Sequence, residues 1–175
     1  MKKIILIVAF IFISNGVFAQ APLEEGGVQL NAGVGVSDWG FVPFYFGLDY
    51  GLVRDVTIGA QVSFMTNNDN YYYNGNNGNN YNYNNNSAIG IGANGNYHFN
   101  RILKIPNKFD FYAGASVTGL IWNYDNKDYH PDYDPLNVGV QVGGRVFFND
   151  HFGINLELGG GSAVSAAKFG ITYKI

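Results

Sequence analysis

The chain of 175 residues carries 10 basic and 13 acidic side chains, a formal net charge of −3, and no cysteine. That balance excludes a nucleic-acid-binding protein built on basic patches and a small secreted scaffold stapled by disulfides. Charged residues are only 13% of the chain, about half the fraction usual in a soluble domain, while Gly (24 residues) and aromatics (17%) are abundant, so little of the surface is equipped to face water.

The first residues read MKKIILIVAFIFISNGVFAQ. Lys2 and Lys3 precede an apolar run from Ile4 to Ile13, and Val17 and Ala19 place small residues before a cut. The expectation is a cleaved secretory leader over 1–19 and one domain over 20–175, because the apolar run is short of the ~20 residues of a spanning helix.

Beyond the leader, two-residue alternation dominates over helical periodicity. Val28, Leu30, Ala32, Val34 and Val36 alternate with Gln29, Asn31, Gly33 and Gly35. Phe44, Phe46, Leu48 and Tyr50 alternate with Tyr45, Gly47 and Asp49; Val56, Ile58, Ala60, Val62 and Phe64 alternate with Thr57, Gly59, Gln61 and Ser63. Next comes the tract NNDNYYYNGNNGNNYNYNNN over 67–86, predicted to be an external loop. Its Tyr71, Tyr72, Tyr73, Tyr81 and Tyr83, set among amides, combine rigid amphipathic rings with adaptable hydrogen bonding and are candidate recognition residues. The alternative is a low-complexity spacer.

A fourth strand sets Ile89, Ile91, Ala93, Tyr97 and Phe99 against Gly90, Gly92, Asn94, Asn96 and His98. The fifth runs near Phe109 to Ile121; the sixth alternates Leu136 to Phe148, the seventh Ile154 to Leu158, the eighth Phe169 to Ile175. Short connections after strands two, four and six, and long ones after three and five, predict an all-β, eight-stranded antiparallel up-and-down transmembrane β-barrel.

Alternation alone does not say which face looks outward, since a lipocalin-like carrier alternates too. The polar positions decide, because they hold Gly, Asn, Gln, Ser and Thr rather than the Lys and Glu of a solvated exterior. Such a face suits a confined interior, which leaves the apolar face for lipid. Tyr50, Tyr97, Phe99, Phe109, Phe111, Phe148 and Tyr173 share the apolar parity near the turn-side strand ends, the composition of an interfacial girdle. Pro43 is expected at the outer rim or in a bulge, since a closed barrel has no edge for it.

With GGRVFFNDHFGINLELGGG over 143–161 and the terminal FGITYKI, the chain resembles the small eight-stranded outer-membrane β-barrel family, of the OmpA transmembrane-domain, OmpX and OmpW type, over 20–175. The resemblance implies an outer-membrane location. It also implies that Phe169, Ile171, Tyr173 and Ile175 form the terminal signal read by the outer-membrane assembly machinery.

Arg145 and Glu157 have interior parity on strands six and seven, and are expected directly opposite or diagonal across the turn as a lumenal ion pair, with Asp49 a further interior charge. The tract YDNKDYHPDYDP gathers Asp125, Asp128, Asp132, Asp134 and His130 without the spacing of a compact calcium loop, so no metal is assigned. His98, His130 and His151 are scattered, and no Ser, His and acid are spaced to cooperate, so neither an enzyme nor a cofactor is expected. The expected function is a structural or surface-interaction role in the outer membrane, exposing loops to an extracellular ligand. A narrow channel for small hydrophobic or ionic solutes and a secreted lipocalin-like carrier are the alternatives.

Overall fold

A computed structural model describes residues 22–37, 42–73, 80–124, 134–161 and 166–175. The leader predicted over 1–19 lies outside them. The described residues form β1 (Val28–Val36), β2 (Phe44–Val53), β3 (Val56–Tyr73), β4 (Asn80–His98), β5 (Phe109–Tyr124), β6 (Leu136–Phe147), β7 (Phe152–Gly161) and β8 (Ala167–Lys174), with a helical turn α1 (Asn100–Leu103) between β4 and β5. Each strand pairs antiparallel with its sequence neighbours, and β1 closes on β8 through pairs such as Leu30 with Tyr173 and Ala32 with Ile171. Closure gives every strand of the ring a partner on both sides, which is what a wall standing in hydrocarbon requires.

The apolar alternates point out and the polar ones in. Along β2 and β6, exposed and buried residues alternate. Val140, Leu156 and Ile171 are 63%, 54% and 51% exposed on the outer wall, whereas Gln141, Asn155 and Thr172 beside them are buried. In a soluble barrel that assignment would be reversed. The aromatic positions expected at the turn end pair up there: Tyr97 with Phe99, Phe148 with Phe152, and Tyr173 stacked on His151.

The Asn/Tyr tract departs from its expected form. Backbone pairing does not stop at Thr66 but continues from Asn67 opposite Asn86 to Tyr73 opposite Asn80, so residues 67–73 and 80–86 are strand rather than loop. A continuing ladder satisfies backbone groups that a long open loop would leave to water, and the tract holds no proline to interrupt it. Tyr71, Tyr72, Tyr73, Tyr81 and Tyr83 occupy paired positions on this hairpin; their side chains lie outside the described residues. With β5 extending to Tyr124, strands β3 to β5 rise above the rest of the wall.

Pro43 stands immediately before β2 at the loop end, buried, its carbonyl accepting from Gly35 N at 2.8 Å. The opposite, turn end is covered by residues 22–27. Gly26, at φ 80°, donates to the Gly51 carbonyl at 2.8 Å, and Gly51 donates to the Gly27 carbonyl at 3.0 Å, which places Leu23 in a buried position. A side chain at residue 51 would collide with the Glu24 carbonyl, so the strap needs a glycine beneath it.

Candidate functional site: the barrel interior

Inward alternation brings the charged residues of distant strands into one lumen. Arg145 on β6 donates from Nη2 to Asp49 Oδ2 on β2 at 2.6 Å and from Nη1 to Asp110 Oδ2 on β5 at 3.1 Å. Its guanidinium also lies over the Tyr112 ring, 4.4 Å from the centroid. Asp110 Oδ1 is 2.7 Å from His98 Nδ1, and His98 Nε2 is 3.0 Å from Thr57 Oγ1. Asp49 Oδ2 accepts from Asn31 Nδ2 at 3.0 Å, and Asn31 Oδ1 accepts from Gln29 Nε2 at 3.1 Å and Thr172 Oγ1 at 2.9 Å.

The predicted Arg145–Glu157 pair is replaced by another arrangement. The register does leave the two diagonal, Arg145 opposite Asn155 and Glu157 opposite Gly143, but each is taken by partners from other strands. Glu157 instead accepts from Tyr112 OH at 2.9 Å and pairs with Lys168 Nζ on β8 at 2.6 Å. Lys168 in turn reaches Gln61 Oε1 on β3 at 3.1 Å. Asp49, the third predicted interior charge, is the residue that does pair with Arg145.

These bonds tie all eight strands together. Among the described residues the lumen holds Arg145, Lys168 and Lys174 against Asp49, Asp110 and Glu157, three cations against three carboxylates, so burial of these six does not strand a net charge. Two cavities among the described lumenal residues have volumes of about 30 Å³ and about 20 Å³, room for single waters.

Two features went unread in the sequence. The interior at the loop end is apolar: Met65, Ala88 and Leu120 form a buried cluster with Trp122 against it, although their neighbours in the sequence predicted amides and glycines there. Phe147 also points inward, buried at the turn end with Lys174 Nζ 4.0 Å from its ring centroid. The second feature is the line Thr57–His98–Asp110, a hydroxyl, an imidazole and a carboxylate within hydrogen-bonding distance. All three are buried to about 1% exposure, and the line ties β3, β4 and β5 together inside the wall.

Outside the wall, Asp55 in the β2–β3 turn accepts from Arg101 Nε of α1 at 2.5 Å, and this bond raises the Arg101 guanidinium above its ordinary value. Asp125, Asp128, Asp132 and His130 of the acidic tract lie outside the described residues.

No protein-family model matches the chain, and no curated protein does. Among solved structures it is similar to a de novo designed transmembrane β-barrel, with a TM-score of 0.57 and 12% identity over 89% of this chain and 100% of that one. It is also similar to the N-terminal β-barrel domain of Pseudomonas aeruginosa OprF, with a TM-score of 0.55 and 14% identity over 86% and 98% of the two chains. This is the fold of a small transmembrane β-barrel. At such identities the likeness extends to the fold alone.

Proposed function

We propose that this transmembrane barrel is a non-enzymatic integral outer-membrane protein that holds the β3–β4 hairpin outside the cell for surface interaction. The observation that carries the reading is the closed interior. An ion-pair and hydrogen-bond network joins every strand, Met65, Ala88 and Leu120 fill the loop end, and Leu23 with Phe147 fills the turn end. A barrel so filled is a support, and what it supports is the tall β3–β5 wall with its Asn/Tyr hairpin. The short turns and both ends of the barrel sheet lie on one rim, which the secretory leader assigns to the periplasm. In this orientation β8 presents Phe169, Ile171, Tyr173 and Ile175 on its outer, exposed face, the side available to an assembly factor.

The test is removal of residues 69–84. Asn67 and Asn86 are paired, so Asn68 and Asn85 are left as a two-residue turn. The reading predicts normal outer-membrane assembly with loss of binding to host cells or glycan arrays. Binding unchanged by the deletion would refute a recognition role for the hairpin. The channel alternative is tested by planar-bilayer recording of the purified barrel, for which the filled interior predicts no steady conductance.

A further inference from the structure

Two neighbouring turns on the short-turn rim repeat one pattern: two aliphatic residues followed by a cation. The β2–β3 connection reads Leu52-Val53-Arg54, and α1 continues as Ile102-Leu103-Lys104. The aliphatic residues are exposed, Leu52 46%, Val53 49%, Ile102 60% and Leu103 63%, and Arg54 and Lys104 are exposed beside them. Tight polar turns would suffice to connect these strands. Here the connection is held in a fixed shape: Asn100 donates to the Phe109 carbonyl at 2.5 Å and accepts from Phe111 N at 3.1 Å, Lys104 adopts φ 53° to end the helical turn, and Asp55 bridges to Arg101 across the two turns. His98 N also donates to the Asp55 carbonyl at 2.9 Å, so the two turns move as one piece.

We propose that these paired turns are a lipid-leaflet anchor, with Leu52, Val53, Ile102 and Leu103 seated in the acyl boundary and Lys104 bound to an anionic phospholipid headgroup. The proposal rests on the membrane reading above and adds a specific lipid partner to it. Position supports it, because the aliphatic residues stand at the same end of the barrel as the exposed Tyr50, Phe109 and Phe111 of the wall. Charge supports it as well. Glu24 and Glu25 share a groove with Arg54 and Arg101 below the barrel, whereas Lys104 is not part of that groove. Amphipathic segments with cations beside aliphatic residues bind anionic interfaces by this combination of burial and attraction.

The absence of cysteine allows single labels to be placed cleanly. Spin labels at Val53→Cys and Leu103→Cys are compared with Val140→Cys on the outer wall and Asn107→Cys in the exposed turn, in phosphatidylcholine vesicles with and without phosphatidylglycerol. The anchor predicts that the Val53 and Leu103 labels collide with oxygen in preference to a water-soluble nickel chelate, as the Val140 label does. If they behave like the Asn107 label while Val140 stays lipid-like, the anchor is wrong and the surface is left for a soluble periplasmic partner. If Val140 is itself water-exposed, the membrane reading fails instead. The headgroup part is read separately from the association of spin-labelled phosphatidylglycerol relative to phosphatidylcholine. Lys104→Gln should lower that preference by about fivefold, while Arg54→Gln, in the groove with Glu24 and Glu25, should change it little; an unchanged preference in Lys104→Gln would overturn the assignment of an anionic headgroup.

Discussion

Replacing Arg145 with Met removes the one cation that holds two carboxylates in the lumen. Arg145 is 3% exposed, and its partners Asp49 and Asp110 are 3% and 1% exposed, so solvent cannot take over its role. Two charge-assisted bonds, at 2.6 and 3.1 Å, disappear together. At ~1.5–3 kcal/mol each they amount to roughly 3–6 kcal/mol, in line with the ~3–5 kcal/mol cost of breaking a buried pair from one side. Asp110 keeps His98 and Asp49 keeps Asn31, which places the expected loss near the lower end, at about 3–4 kcal/mol. Urea unfolding in lipid vesicles measures it. The triple variant Arg145→Met, Asp49→Asn, Asp110→Asn removes the stranded charges and should recover most of the loss, since a neutral lumen of similar volume is often as stable. A cost below about 0.5 kcal/mol for Arg145→Met, within the range of an ordinary surface change, would refute the network as the element that holds the strands together.

Lys168→Met should cost less, about 1–2 kcal/mol by the same assay, because the pair with Glu157 is partly exposed at 17% and 10% and Glu157 keeps its bond from Tyr112. Gly143→Ala sets a methyl against the Tyr112 ring packed over that glycine, 2.7 Å from Cε2, and should destabilise by about 1–3 kcal/mol while displacing the tyrosine from Glu157; crystallography or the Tyr112 ring NMR signals would report the shift. Removal of residues 69–84 trims only the part of the hairpin that rises above the barrel, so the unfolding midpoint should stay within a few degrees of the parent. A large loss of stability would mean that the hairpin braces the wall.

The parity of each strand was legible because period-two alternation survives any tertiary arrangement, and the poverty of Lys and Glu on the polar face gave its direction. Partner identity was not. Arg145 and Glu157 share a face and stand diagonal across a turn, yet whether two such residues meet depends on lumenal neighbours from strands far apart in sequence. Asp49 and Arg145 are 96 residues apart, a separation at which no local pattern speaks. The Asn/Tyr tract misled for a different reason. Asn disfavours strands on average, but a ladder already begun at Val56 and Tyr97 supplies pairing that propensity does not weigh. Phe147 and Met65 were hidden because an inward apolar residue near a strand end looks like a break in the pattern when only the sequence is read.

The direction of the two faces is tested most directly by nuclear Overhauser contacts between the folded barrel and the acyl chains of the lipid or detergent around it. The side chains of Val140, Leu156 and Ile171 should show strong acyl contacts, while Gln141, Asn155 and Thr172 show contacts to their lumenal partners Asn96, Tyr45 and Asn31 and none to acyl protons. Acyl contacts to the second set, with the first set silent, would contradict the account.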